Sequence, residues 1–429
     1  MADAPHPFRI HNFRAYWTSR LAMTLGQYAM MLIIGWQAYN IARDGGMSVG
    51  GAAGQLAIIG LLQFVPLFLL TPFAGLAADR FDRKTVARAM VALQILCAAA
   101  LGWATWAAIL SLPILFGVAI LLGIARAFAG PALSALAPNL VPKEVLPNAI
   151  ALSSIAWQSG MIIGPAIGGY LYVVDPAAPY LAVVILLSIS FAALSLIGTV
   201  PRPAIKGTQH PVGQVIDGLR YVRQNKMVLG TITLDLFAVF LAGATALFPV
   251  YARDILEVGA TGLSQLAAAP AVGAALTALW FSFKPLKNNV GPKMLWAVGI
   301  FGLATIVFGL STSMPLSLAA LFVVGAADMF SVYIRQSLIQ LHTPDEKRGR
   351  VSSVSLLTIS ASNEFGDFFS GSLAWIIGPV AAVVGGGIGA IATVLLWTAW
   401  FPTLRKTKTF DVPEELDTPD GQTLQENTT

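Results

Sequence analysis

Charged residues are scarce in this sequence. Asp, Glu, Lys and Arg make up only 11% of it, whereas a soluble globular domain has about 25%. Hydrophobic residues account for 56%, and the mean hydropathy is +0.73. This composition excludes a soluble enzyme and a disordered chain. Cysteine occurs once, as Cys97, so a small secreted domain held together by disulfides is excluded as well.

Several motifs of enzymes and binding modules are also missing. The sequence has no G-x-x-x-x-G-K-[ST] loop, so nothing indicates that the chain itself uses ATP. Its four histidines are scattered, and with one cysteine they form no metal-ligand pattern. The basic residues fall in small groups between apolar runs and not on one soluble face, which argues against nucleic-acid binding. We therefore expect no enzymatic activity, no cofactor, no metal and no nucleic-acid partner.

Long apolar runs dominate the rest of the chain. A helix needs roughly 20 apolar residues to cross the ~30 Å hydrocarbon core of a bilayer. Barrel strands would instead show ten-residue alternation, which this sequence lacks. The fold class predicted is thus an all-α polytopic membrane protein with twelve transmembrane helices. Spans 1 to 12 are predicted at about 15-40, 52-78, 85-109, 112-137, 149-173, 178-199, 228-251, 261-283, 293-311, 314-339, 351-375 and 379-401.

The positions of Lys and Arg predict the orientation of these spans. Of the 26 such residues, 22 fall in the termini and in the loops on the same side as the termini. The opposite loops hold only Arg43 and Arg253. Because cytoplasmic loops are enriched in Lys and Arg, both termini are predicted to lie in the cytoplasm. The expected location is a bacterial-type cytoplasmic (inner) membrane.

The two halves of the chain are related by an internal repeat. A shift of 202 residues superimposes spans 4 and 5 on spans 10 and 11, and such parallel repeats place a substrate site near the bilayer midplane between the halves. We divide the chain into a six-helix bundle at 1-199, a cytoplasmic linker with a short amphipathic helix at 200-227, a second six-helix bundle at 228-404 and a disordered acidic tail at 405-429. The matching pairs are Gly123 and Gly325, Ala125 and Ala327, Pro142 and Pro344, Ser153 and Ser355, Gly164 and Gly366, and Gly169 and Gly371.

Two motifs resemble signatures of a known family. The loop between spans 2 and 3 is similar to the G-x-L-a-D-r-x-x-r-K signature of the major facilitator superfamily, and span 5 resembles the G-x-x-x-G-P-x-x-G-G signature of its drug antiporters. Residues 17–40 and 132–154 resemble the exporter branch that includes enterobactin exporters and macrolide-efflux-like proteins. The loop signature comprises Gly75, Asp79, Arg80, Arg83 and Lys84, and the span 5 signature comprises Gly160, Gly164, Pro165, Gly168 and Gly169.

The resemblance implies roles for these motif residues. Asp79 and its neighbouring cations would form a gating loop whose contacts exist in one state and break in the other. An alternative is that the cations only set topology and attract anionic lipid. Glycines at every fourth position of span 5 make a flat ridge, and Pro165 should bend that helix. The ridge could serve tight packing alone or seal one side of a cavity.

Charges inside the spans are the candidates for substrate or proton coupling. Each costs roughly 2.5–3.5 kcal/mol at mid-helix, so they should face the interior. Glu364 and Asp367 share a helix face and repel, so one of them should take up a proton easily. An alternative is permanent ion pairing that only orders the bundle. Arg335 lies near a span end and is expected to extend toward the interface. The coupling candidates are Arg126, Asp235, Asp328, Glu364 and Asp367.

The leading hypothesis is a proton-coupled exporter of amphipathic small molecules, drug-like or siderophore-like, that works by alternating access. Its expected partners are the substrate, the proton and the lipid bilayer, and we expect a monomer. Uptake by the same fold remains the nearest alternative. A non-transporting receptor or scaffold, and the permease partner of a separate ATPase, remain more distant ones.

Overall fold

A computed structural model describes residues 6–136, 139–142, 145–198, 211–284, 286 and 288–410. Side chains of some helical residues, including 74–80 and 364, fall outside that description. Below, the inner side is the side that carries the linker between the halves, and the outer side is the opposite one.

The described chain contains twelve long helices, labelled α1 to α12, and a separate linker helix, Pro211–Gln224. Each long helix overlaps one predicted span. The fold class is confirmed, as an all-α membrane protein with two six-helix halves. The helices are α1 (His11–Asp44), α2 (Val49–Arg80), α3 (Arg83–Trp106), α4 (Leu112–Leu136), α5 (Leu146–Val174), α6 (Ala178–Leu196), α7 (Lys226–Ala242), α8 (Gly259–Phe283), α9 (Val290–Leu310), α10 (Met314–Leu341), α11 (Asp345–Ile377) and α12 (Pro379–Trp400).

Ten helical segments of the described chain are long and apolar enough to cross a membrane, by length and composition. They include all of the long helices except α1 and α11, of which α11 has a shorter apolar segment, Phe365–Ile377. Helix α1 carries many polar residues, of which Ser19, Thr24 and Gln37 are buried. For example, the Ser19 and Ser190 hydroxyls lie 2.7 Å apart between α1 and α6. Polar pairing of this kind satisfies groups that lipid cannot.

Span 7 is less regular than a single predicted helix. Helix α7 ends at Ala242, and the chain continues through a 3-10 turn, Thr245–Leu247, to a π-turn, Tyr251–Ile255. Pro249 in this region lacks an N–H, so the regular hydrogen-bond ladder cannot pass through it. Gly243 lets the chain approach α11 closely, because a Cβ there would lie 3.3 Å from the Gly366 backbone. The break places polar groups of the turn beside α11.

The glycines of the repeat pack equivalently in the two halves. A Cβ on Gly123 would lie 2.4 Å from the Gln63 carbonyl oxygen of α2, and a Cβ on Gly325 would lie 1.8 Å from the Pro270 carbonyl oxygen of α8. Both α4–α2 and α10–α8 therefore approach to backbone contact at repeat-related positions. Close approach through small residues is typical of membrane helices.

The next two glycine pairs show the same symmetry. Gly164 of α5 packs on α1, and its repeat partner Gly366 of α11 packs on α7. Gly169 of α5 packs on α8, whereas Gly371 of α11 packs on α2. The first pair joins helices within each half, and the second joins the two halves. The sequence repeat thus corresponds to a pseudo-twofold arrangement of the helices.

The apolar core is continuous across the outer side. Its larger cluster combines residues of α1 to α6 with residues of the other half, among them Phe248, Tyr251 and Leu263. A smaller cluster lies within the C-terminal half, around Leu234, Ile334 and Trp397. The outer ends of the two halves therefore share one core.

The inner side is covered by the linker helix and by the end of the described chain. Asp217 of the linker helix pairs with Arg350 of α11. A short helix, Pro402–Lys406, follows α12, and the Gly291 N–H of α9 donates to the Thr407 carbonyl at 3.1 Å. The predicted tail from 405 thus begins inside folded structure, and residues 411–429 lie outside the described chain.

Candidate functional site

Asp367 lies where the two halves meet. Its Oδ1 accepts a 2.7 Å hydrogen bond from the Thr245 hydroxyl of the broken span 7. On the other side, a Cβ on Gly60 of α2 would lie 4.0 Å from the Asp367 Cβ. The Phe64 and Phe365 rings pack edge to face beside it, with centroids 5.4 Å apart. Asp367 therefore combines a polar partner with contact to the opposite half, whereas the side chain of Glu364 lies outside the described part.

Asp235 and Arg335 form an ion pair inside the C-terminal half. The side chains are 9% and 4% exposed, so both charges are removed from lipid and water. A cavity beside Asp235 is also lined by Asp328 and Ser331 of α10. The three titratable groups thus cluster among α7, α9 and α10.

The prediction for Arg335 was wrong. It does not extend toward the interface but turns into the bundle, because Asp235 supplies a counter-charge there. A signal was present in the sequence: Asp328 and Arg335 are seven residues apart, which puts both on one face of a helix. That face was already predicted to point inward at Asp328.

Arg126 belongs to the N-terminal half. Its Nη1 donates to the Gln63 side-chain oxygen at 3.3 Å, between α4 and α2. Gln63 is buried, so this contact orders the arginine inside the first bundle. Arg126 of α4 and its repeat counterpart Asp328 of α10 therefore have different surroundings: Arg126 contacts α2, whereas Asp328 lines a cavity with α7 and α9.

Two reciprocal ion pairs join the halves on the outer side. Arg43 at the end of α1 pairs with Asp254 at 2.9 Å, and Arg253 pairs with Asp44 at 2.6 Å. We call these four residues the outer clasp. They come from the same tripeptide, Ala42-Arg43-Asp44 and Ala252-Arg253-Asp254, at the outer ends of spans 1 and 7. Each arginine therefore reaches the aspartate of the other copy across the pseudo-twofold axis.

Neighbouring side chains reinforce the outer clasp. The Tyr39 hydroxyl donates to Asp254 at 2.5 Å, and Arg253 donates to the Asn40 side-chain oxygen at 2.5 Å. The clasp arginines are the two cations that stood on the outer side in the sequence. By charge distribution alone these two arginines are only exceptions to the bias, although the repeated Ala-Arg-Asp is a sequence signal for their pairing.

The glycine motif of α5 divides between two neighbours. Gly160, Gly164 and Gly168 all face α1, where an added Cβ would lie within 3.0 Å of α1 atoms. Gly169 points to α8, where a Cβ would lie 1.7 Å from Ser264 Oγ. The ridge packs within one half, and Gly169 brings the halves together.

Pro165 adds a polar contact at the same place. The Ser264 hydroxyl of α8 donates to the Pro165 carbonyl oxygen at 2.9 Å. Gln265 of α8 also donates to the Tyr170 hydroxyl at 3.2 Å. The outer portions of α5 and α8 are thus held by hydrogen bonds as well as by close packing.

The predicted gating loop is described only in part. Gly75, Asp79 and Arg80 lie in α2, but the surroundings of Gly75 and the side chains of Asp79 and Arg80 fall outside the description. Lys84 donates to the carbonyl oxygens of Ser195 and Ile197, which connects the start of α3 to the end of α6 within the N-terminal half. Arg83 lies at the first position of α3.

Comparison with known proteins identifies the family. A sequence model described as Major Facilitator Superfamily matches residues 16–366. The chain belongs to the Major Facilitator Superfamily. Solved structures of the superfamily share its fold. A POT family transporter in complex with 5-aminolevulinic acid has a TM-score of 0.68 at 15% identity, covering 92% of this chain and 96% of that one. A D-xylose-proton symporter has a TM-score of 0.67 at 14% identity, covering 91% and 98%.

Curated superfamily members with greater sequence similarity are enterobactin exporters. The Enterobactin exporter EntS of Escherichia coli O1:K1 / APEC is 26% identical over 367 residues, which cover 82% of this chain and 83% of the relative. The protein of the same name from Escherichia coli O157:H7 is 26% identical over 382 residues, covering 86% of each. This chain is therefore an integral membrane protein of a transporter superfamily.

Proposed function

We propose that this protein is a secondary active transporter that exports amphipathic small molecules, with the proton as its coupling ion. Similarity to enterobactin exporters along more than four-fifths of the chain supports export and favours a siderophore-like substrate. The glycine motif of α5, which resembles that of drug antiporters, supports the same direction. The protein would lie in the inner membrane with both termini in the cytoplasm.

The outer clasp is the observation that best supports transport by alternating access. Its ion pairs, together with the α5–α8 contact, close the outer side. Substrate can leave outward only if these contacts separate. Because the clasp consists of small polar contacts at the helix ends, it can open without unfolding either bundle. The gating-loop residues Asp79, Arg80, Arg83 and Lys84, with Gly75, would make the corresponding contacts on the inner side.

Proton coupling would use carboxylates of the C-terminal half. A proton on Asp235 would remove the charge that holds Arg335, and Asp328 would offer a second acceptor in the same cavity. Asp367 lies against Gly60 of α2, so a movement of α2 would change the surroundings of Asp367 and its affinity for a proton. Glu364, one turn earlier on the same helix face, would be affected in the same way. Arg126 would provide a positive charge for an anionic substrate from the other half.

Transport into inside-out membrane vesicles tests this function. With an imposed gradient, acidic inside, we expect vesicles that contain the protein to accumulate a catecholate siderophore or an amphipathic dye. An uncoupler should abolish the accumulation. Vesicles that contain the double variant Asp235→Asn with Arg335→Met, which leaves no isolated buried charge, should bind substrate but lose the response to the gradient. Accumulation that persists in the uncoupler would contradict proton coupling, and accumulation only in right-side-out vesicles would indicate uptake.

A further inference from the structure

A large cleft opens on the inner side of the C-terminal half. Its walls are the end of the linker helix, the first turn of α7, the α10–α11 turn and the segment 403–409 after α12. Its volume is about 780 Å³, which lies in the range of roughly 300–1,000 Å³ found for ligand-binding clefts. We call it the lysine cleft, because four lysines line it: Lys226, Lys347, Lys406 and Lys408.

The positive charge of the lysine cleft is not balanced by the described residues around it. All four lysines are exposed, and none forms an ion pair with another described residue. The Lys347 ammonium instead lies 5.1 Å from the centre of the Tyr221 ring. Burial lowers the pKa of the His342 imidazole, with partial compensation from the Leu338 carbonyl, so burial disfavours a further positive charge there. Among the described residues that line the cleft there is no Asp or Glu.

The general enrichment of Lys on the cytoplasmic side does not account for this arrangement. That rule concerns how many cations lie near the membrane, not whether they converge on one concavity. Here three separate segments contribute lysines to the same cleft. Threonine and amide side chains, including Thr403, Thr407 and Asn225, supply further polar groups around them. Such a surface suits an extended polyanion with several carboxylates.

The chain itself contains such a polyanion. Residues 411–429 carry six carboxylates and neither Lys nor Arg. This segment starts two residues after Thr409, which lines the cleft. A tethered ligand reaches a local concentration in the millimolar range without any additional affinity. The carboxylates are Asp411, Glu414, Glu415, Asp417, Asp420 and Glu426.

We propose that residues 411–429 bind in the lysine cleft and that their carboxylates pair with Lys226 and Lys347 on its far walls. Pairing with Lys406 and Lys408 is a trivial consequence of proximity along the chain. Contacts with Lys226 and Lys347 are different, because these residues belong to the starts of α7 and α11. The acidic segment would then occupy a site that anionic lipid headgroups could otherwise enter.

Lysine reactivity in the full-length protein tests the proposal. The purified protein in neutral detergent is treated with a limiting amount of an amine-acylating reagent, and modification at each lysine is measured by mass spectrometry. It is compared with a variant in which the six tail acids become Asn or Gln. We expect Lys226 and Lys347 to react about fivefold faster in the variant, a change consistent with a few exposed ion pairs. Lys284 and Lys293 on the same side serve as internal controls and should not change.

Two further measurements distinguish binding of the acidic segment from other causes of lysine protection. In 0.5 M salt the protection of Lys226 and Lys347 should disappear, because exposed ion pairs are screened. A carbodiimide should link tail carboxylates to these two lysines in preference to Lys284 and Lys293. Equal reactivity in both proteins, or links spread evenly over all inner-side lysines, would overturn the proposal. Protection that appears only with phosphatidylglycerol vesicles, whatever the tail sequence, would overturn it in favour of a lipid site.

Discussion

At the scale of single residues, Gly169 offers a sharp test of how the halves meet. A Cβ there would lie 2.5 Å from the Ala260 carbonyl oxygen as well as 1.7 Å from Ser264 Oγ. The hydroxyl can rotate away, but the backbone oxygen cannot move without α8. We expect Gly169→Ala to lower the free energy of unfolding of the protein, in the state whose outer side is closed, by about 1–3 kcal/mol, as overpacking usually does. Thermal unfolding in detergent measures this change.

Gly117→Ala is the matched control for that substitution. Gly117 lies inside α4, and a Cβ there would meet nothing within 4 Å. Alanine should therefore be neutral or slightly stabilising, because it favours the helix by up to about 1 kcal/mol over glycine. If both variants unfolded at the same temperature, the close approach of α5 and α8 would not be a source of stability.

The buried Asp235–Arg335 pair allows a second prediction at this scale. Asp235→Asn leaves a buried guanidinium without its counter-charge, which should cost about 3–5 kcal/mol. The double variant Asp235→Asn with Arg335→Met should recover most of the loss, because no isolated charge remains. Equilibrium unfolding of the three proteins checks this order. A double variant no more stable than Asp235→Asn would show that the two charges are not energetically coupled.

At the scale of helices, the outer clasp predicts how the ends of α1 and span 7 respond to charge. Arg43→Glu would place a second carboxylate beside Asp254 and should separate the outer ends. Ser264→Cys, in a Cys97→Ser background, reports on this separation because Ser264 is buried between the halves. We expect its maleimide reactivity to rise about fivefold, which corresponds to about 1 kcal/mol for a partly exposed pair.

The reversed pair provides the control for the clasp. Adding Asp254→Arg to Arg43→Glu restores opposite charges at the same two positions, so the reactivity of the reporter cysteine should return toward that of the parent. The Arg253–Asp44 pair is left in place in all variants. Reactivity that stayed high in the reversed pair would mean that Arg43 acts through something other than Asp254.

The sequence predicted the helices better than the contacts between them. Hydropathy and the Lys and Arg distribution gave twelve helices because the bilayer imposes length and composition on each span. The outer clasp was missed because its two tripeptides are 210 residues apart. The shift of 202 residues that aligns spans 4 and 5 with spans 10 and 11 therefore does not superimpose them. The orientation of Arg335 was wrong because a side chain this close to the helix end can extend either to the membrane interface or into the bundle. Its position relative to Asp235, which the sequence does not give, determines that it turns inward. The break in span 7 was missed because hydropathy does not register the backbone effects of Gly243 and Pro249.

At the scale of the whole molecule, the two halves should move as rigid bodies about the centre. Pairs of spin labels measure this in a Cys97→Ser background. The outer pair is placed at Ile109 and Thr312, in turns of opposite halves, and the inner pair at Phe81 and Phe283. We expect Arg43→Glu to populate a second state in which the outer distance is longer and the inner distance is shorter.

The pair Phe81 and Ile109, both in the N-terminal half, is the control and should keep one distance throughout. Rocking requires the two changes to have opposite signs, because the outer and inner ends of each rigid half lie on opposite sides of the contact between α2 and α11. If the outer distance grew while the inner distance stayed constant, the clasp would be a local contact, and opening it would not bring the inner ends together.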